Sequence, residues 1–97
     1  MPFHVIFTSD AETDLRHFSV YAQRLILDAA EKYLVTGASV ASKRRRQLRP
    51  NPVAPWELRV GDYRVFYRLE GDTTVKVLAI GYKKHNDVLI RGKKVDL

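Results

Sequence analysis

The chain contains no cysteine, which removes disulfide frameworks, thiolate zinc sites and cysteine nucleophiles from consideration. No apolar stretch approaches the ~18 residues that a membrane-spanning helix needs, so no membrane partner is expected. Met1-Pro2-Phe3-His4 puts no basic region ahead of an apolar run, so no secretory signal is expected either. The three histidines, His4, His17 and His85, have no metal-ligand spacing and the carboxylates are scattered, so neither a metal nor another cofactor is expected. Without such staples, 97 residues have room for one core, and residues 1–97 read as a single domain. A hydrophobic share of 45% is too high for a disordered chain. A cysteine-free fold of this size suits the reducing cytoplasm.

Charge is present and unevenly placed. Residues 1–36 hold three bases (Arg16, Arg24, Lys32) and five acids, a net of −2, whereas residues 37–97 hold fourteen bases and six acids, a net of +8. The positive field of the C-terminal two-thirds favours a polyanion or an acidic protein partner.

Phe3 to Thr8 alternates as a short strand, with Phe3, Val5 and Phe7 on one face. Ser9 to Glu12 fits a capping box with Ser9 as N-cap, opening a first helix whose inner side carries Ala11, Leu15 and Phe18. A second helix is expected from about Ser19 to Thr36, with Gly37 as its stop. The pattern allows the two helices to be continuous or kinked near Ser19. From Ala38 to Ala54 the pattern weakens. Lys43, Arg44, Arg45, Arg46 and Arg49 place five bases within seven residues, and Pro50, Pro52 and Pro55 then favour an extended loop.

The clearest signals lie between residues 56 and 82. Trp56 to Val60 alternates apolar and charged, Gly61-Asp62 is a two-residue hairpin signal with glycine first, and Tyr63 to Leu69 follows as a second strand. Gly71-Asp72 repeats the turn signal ahead of a third strand over Thr73 to about Tyr82. The order of strand, two helices and a three-stranded antiparallel meander implies an α+β fold, one sheet with helices on one face. Beyond it, Asn86 reads as the cap of one helical turn over Asp87 to Ile90, ended by Gly92, and Val95 to Leu97 as an extended tail.

A two-residue turn at Gly61-Asp62 pairs Val60 with Tyr63, Leu58 with Val65 and Arg59 with Arg64. Leu58, Val60, Tyr63 and Val65 then face the helices, and Glu57, Arg59, Arg64, Phe66 and Arg68 take the other, open face. Directly opposed like charges destabilise a sheet, and the Arg59–Arg64 pair makes sense around an anionic guest, for which the planar guanidinium fork is suited. A two-residue turn at Gly71-Asp72 sets Arg64 beside Ala79 and Phe66 beside Val77, with Gly81, Lys83 and His85 on the open face. A slip of one residue there would carry Lys83 to the covered side. On this surface Phe66 offers a ring for base stacking. Lys43, Arg44, Arg45, Arg46, Arg49 and Lys84 are candidates for the RNA backbone. RNA cleavage by its own 2′-hydroxyl needs charge stabilisation, for which Arg59, Arg64 and Lys83 are candidates, and proton-transfer groups, for which Glu57 and His85 are, with a lysine among neighbouring cations able to serve as well. Glu57 serves equally as a neutralising partner of either arginine.

The run from Leu58 to Tyr67, with the run from Val75 to Lys84 ending in Ile-Gly before basic residues, resembles the C-terminal signature of the RelE/ParE superfamily of type II toxin–antitoxin toxins. The order of the N-terminal strand and two helices is similar as well. The resemblance implies a compact toxin of the microbial ribonuclease type with a cognate antitoxin as partner. RelE-like members are implied to cleave messenger RNA, usually on the ribosome, and so to inhibit translation. ParE-like members are implied to poison DNA gyrase without a catalytic set. Arg59, Arg64 and Lys83 match the basic positions of RelE-like toxins. Glu57 stands where the first strand is otherwise basic, and Leu89 where RelE has its tyrosine. Related toxins use a carboxylate and a histidine, roles open to Glu57 and His85.

Overall fold

The computed structural model describes residues 2–97. One strand, β1 (His4–Phe7), is followed by two helices, α1 (Ser9–Arg16) and α2 (Val20–Leu34), and then by six strands: β2 (Arg45–Gln47), β3 (Trp56–Val60), β4 (Tyr63–Glu70), β5 (Thr74–Lys84), β6 (Asp87–Ile90) and β7 (Lys93–Lys94). The strands form one sheet in the order β2-β3-β4-β5-β6-β7, and β1 joins it by pairing in parallel with β5. The α+β arrangement with helices on one face is the expected one. The sheet is wider than expected, because β2, β6 and β7 come from segments that read as loop, helical turn and tail.

The first helix starts one residue earlier than its capping box implies. Thr8, not Ser9, is the N-cap, its hydroxyl accepting from the Ala11 N–H at 3.1 Å. The same hydroxyl donates to the Leu78 carbonyl, tying the helix start to β5. The two helices are separate, and Ser19 caps the second through the Ala22 N–H. Ala11, Leu15, Ile26, Ala30 and Leu34 from the helices pack on Leu58, Val65, Tyr67, Val75, Val77 and Ile80 of the sheet. Trp56 and Tyr67, opposite each other in register, stack with centroids 5.9 Å apart. Burial pushes the Tyr67 phenol up in pKa, so it stays a donor, and it gives its proton to the Ala38 carbonyl at 2.8 Å. Tyr67→Phe leaves that buried carbonyl without a partner, and a loss of about 1–2 kcal/mol is expected from urea denaturation midpoints.

The β3–β4 hairpin has the expected register: Val60 with Tyr63, Arg59 with Arg64, Leu58 with Val65. Gly61 takes φ +59 at the first turn position and Asp62 stays at negative φ, as a type II′ turn requires. The β4–β5 register departs from expectation by two residues. Glu70 pairs with Thr74, so the turn is three residues long; the His4 N–H binds the Thr73 carbonyl, which keeps Thr73 out of the hairpin ladder. Leu78 then forms a bulge, since Phe66 pairs with Ala79 while Tyr67 pairs with Val77. Two slips of one residue restore the original parity. Arg64 lies beside Gly81 rather than Ala79, and Phe66 beside Ala79 rather than Val77.

The helical turn expected over Asp87 to Ile90 is instead strand β6, which pairs Tyr82 with Leu89 and Lys84 with Asp87 across a turn at His85-Asn86. Gly92 is not a helix stop: with Arg91 at φ +52 and Gly92 at φ +74, the two make a type I′ turn into β7. The hairpin β6–β7 folds over the sheet face away from the helices. There Phe66, Ala79, Ile90 and Ala54 form a second small core with Leu48, Val53, Leu78, Val88, Val95 and Leu97. The far face is therefore largely covered. Gly81 is glycine for that reason, since a Cβ there would meet the Leu89 carbonyl oxygen at 2.7 Å.

Candidate nucleic-acid interface

Where the second core ends, a cleft of about 450 Å³ opens on the far face. Its charged walls are Arg46, Arg49, Glu57, Arg59, Arg64 and Lys83, five cations around one carboxylate. Glu57 and Arg59 come from β3, Arg64 from β4 and Lys83 from β5; period-two alternation along adjacent strands brings them to one face. Arg46 arrives from β2, directly opposite Glu57 in register.

Arg59 and Arg64 do share this face, but they are not alike. Arg64 is 6% exposed, and its Nη1 donates to the carbonyls of Gly61 at 2.8 Å and Tyr63 at 3.0 Å. Burial is the main influence on its guanidinium and lowers its pKa, the Glu57 carboxylate acts against that, and Arg59 adds to the lowering. Glu57 is 4% exposed and sits between the two arginines, Oε2 3.1 Å from Arg59 Nε and Oε1 3.8 Å from Arg64 Nε. The Arg59 side chain remains 42% exposed. The like-charged cross-strand pair thus already has an anion, supplied by Glu57 two residues before Arg59 on β3. Lys83 is half-buried, and its N–H binds the Asp62 carbonyl at 2.7 Å, which seats the strand end against the first hairpin turn.

Several candidates lie elsewhere. The Phe66 ring is fully buried and touches Gly81, so it has no face to offer a base; the β6–β7 hairpin covers it. His85 occupies the exposed β5–β6 turn at φ +58 and does not line the cleft, and Lys84 beside it does not either. Arg45 points to the helix side, where its guanidinium binds the carbonyls of Val40 at 2.9 Å and Tyr33 at 3.1 Å. That makes it a brace for the chain reversal after α2. Arg44 lies over the Tyr33 ring, 5.0 Å from its centroid, and Lys43 is exposed; both sit outside the cleft. Arg49 is in the cleft and donates twice to the Leu97 main-chain oxygen, at 3.0 and 2.8 Å.

Five cleft residues escape the sequence reading: Gln47 and Leu48, whose segment reads as loop, and Asn86, Val88 and Leu97, whose segment reads as a helical turn and a tail. Asn51 is a further organiser, which accepts from the N–H groups of Val53 and Ala54 and so shapes the loop that carries Arg49. Asn followed by Pro is the signal that marks such a turn. Among the described residues no group of three or more His, Asp or Glu side chains is placed to hold a metal ion. No helix described is long and apolar enough to cross a membrane.

Fold and site together describe a small α+β protein with a cationic cleft on the sheet face opposite its helices. The family model for the ParE toxin of the type II toxin–antitoxin system parDE matches residues 5–86, and the chain belongs to that family of RelE/ParE toxins. Among solved structures it is similar to a chain of the toxin–antitoxin complex RelBE2 from Mycobacterium tuberculosis. The TM-score is 0.69 at 23% identity, over 86% of this chain and 100% of that one. No curated protein sequence matches it.

Proposed function

We propose that this toxin is a metal-independent endoribonuclease that grips the backbone of messenger RNA in the cationic cleft, on or near the ribosome, and so stops translation. The convergence of Arg46, Arg49, Arg59, Arg64 and Lys83 around a single carboxylate carries the reading. A phosphodiester dianion forming in the transition state needs a preorganised positive field in a partly enclosed site, and Arg59 with Lys83 supplies it. Among the described residues Glu57 is the only carboxylate side chain lining the cleft. It accepts the proton of the 2′-hydroxyl, whose oxygen attacks the adjacent phosphorus. The bond from phosphorus to the 5′-oxygen breaks, Lys83 gives that oxygen its proton, and a 2′,3′-cyclic phosphate remains. Arg64, locked to main-chain carbonyls, positions Glu57. A cognate antitoxin is the toxin's protein partner, and an acidic segment of it suits the same field.

The placement of His85 outside the cleft, together with Leu89 at the tyrosine position, favours a second reading, a ParE-like gyrase poison without chemistry of its own. Primer extension on transcripts after brief induction in bacteria separates the two. The ribonuclease reading expects discrete new 5′ ends inside coding regions. Intact transcripts with trapped gyrase–DNA complexes would overturn it.

A further inference from the structure

Building on the ribonuclease reading of the cleft, we propose that Glu57 is a resident anion. Its carboxylate holds Arg59 while the cleft is empty and yields it to an incoming phosphate of single-stranded RNA. Guanidiniums opposed across a strand pair repel one another, and Glu57 answers that repulsion from within the protein, 3.1 Å from Arg59 Nε and 3.8 Å from Arg64 Nε.

The two arginines depend on it unequally. Arg64 keeps its place through the Gly61 and Tyr63 carbonyls, which need no carboxylate. The Arg59 side chain is far more exposed, 42% against 7%, and among the described residues its one hydrogen bond goes to Glu57. Arg64 is therefore the fixed post and Arg59 the arm that changes hands. Arg46, facing Glu57 across the β2–β3 pair, adds a third guanidinium to the same carboxylate's surroundings. While Glu57 holds Arg59, one of five cations in the cleft is neutralised and phosphate binds less tightly. Once phosphate takes Arg59, the carboxylate is freed beside the scissile group.

The test uses a fully 2′-O-methylated RNA hexamer, which lacks the attacking hydroxyl, so fluorescence anisotropy reads binding alone. Glu57→Gln is expected to bind it about ten-fold tighter than the native chain, a size set by one charge within contact range of a half-exposed site. The gain should vanish when Arg59→Gln is added. Equal or weaker binding by a folded Glu57→Gln chain overturns the proposal. The native chain gives an independent reading. Titration with inorganic phosphate should shift the NMR signal of the Arg59 Nε–H while that of Arg64 stays in place; an unmoved Arg59 signal overturns the proposal even where the variant does not fold. Native protein that leaves ordinary RNA uncut, alongside a tighter-binding Glu57→Gln, would refute the ribonuclease reading alone and support the resident anion.

Discussion

Lys83→Met should reduce RNA cleavage by about 10²–10⁴-fold, the range typical of a lost proton donor. Binding of an uncleavable RNA should weaken only a few-fold. The asymmetry follows from where Lys83 sits. It lines the cleft from the end of β5 together with Arg46, Arg49, Arg59 and Arg64; on the ribonuclease reading those four would still hold a phosphate, so removal of one cation of five should cost modest affinity. Charge on the departing 5′-oxygen develops only in the transition state, and a group that meets it there acts on rate more than on binding. Lys84→Met and His85→Ala are the controls. Both residues are exposed and outside the cleft, so initial rates on a short RNA in chelator-treated buffer should be unchanged. Equal losses from Lys83→Met and Lys84→Met would reduce the pair to a diffuse positive field. A dead His85→Ala would bring the histidine back into the chemistry, with movement of the β5–β6 turn.

The first hairpin was legible in the sequence because its turn is local. Gly61-Asp62 has the residue that a left-handed φ needs at the first turn position, and a two-residue loop then leaves one register. The β4–β5 register was not legible, because its two slips have tertiary causes. Thr73 is drawn out of the turn by β1, and the bulge at Leu78 is set by α1, whose capping Thr8 binds the Leu78 carbonyl. Neither partner is near in sequence. Lys83 reached the cleft face as expected only because the two shifts add to an even number.

The site was legible in its charges and not in their partners. Alternation placed Glu57, Arg59 and Arg64 on one face, and the opposed arginines were read as a grip on an external anion. A half-exposed Arg59 and a main-chain-locked Arg64 around one buried carboxylate are a different object, whose two positive charges are already partly offset at rest. Phe66 failed as a stacking platform for a reason that composition hides. Val88, Ile90, Val95 and Leu97 read as the apolar side of a turn and a tail, yet once Arg91-Gly92 makes a hairpin they become the lid of a second core.

Asp14→Ala, which removes a buried carboxylate outside the cleft, should destabilise the fold by about 3 kcal/mol, or roughly 15 °C in melting temperature for a domain of this size. The reason is a gap in the sheet. β4 pairs with one edge of β5 from Thr74 to Tyr82. On the other edge β1 takes Thr74 to Val77 and β6 takes Tyr82 to Lys84, which leaves the stretch between them without a strand. Helix α1 closes it with side chains. Asp14, whose side chain is 2% exposed, accepts the Ile80 N–H on Oδ2 at 3.0 Å. Its Oδ1 lies 2.9 Å from Arg91 Nε, at an angle that makes an ion pair rather than a directed hydrogen bond.

Alanine orphans a buried backbone donor, whereas Asp14→Asn keeps an acceptor for Ile80 and loses only the ion pair to a half-exposed arginine, for which about 1 kcal/mol is expected. Arg91→Ala should likewise cost no more than about 1 kcal/mol, since it leaves the Ile80 bond intact. Calorimetry on the three variants ranks the two interactions. Asp14→Asn as damaging as Asp14→Ala would mean that the charge pair with Arg91, not the capped sheet edge, holds the β6–β7 hairpin against α1.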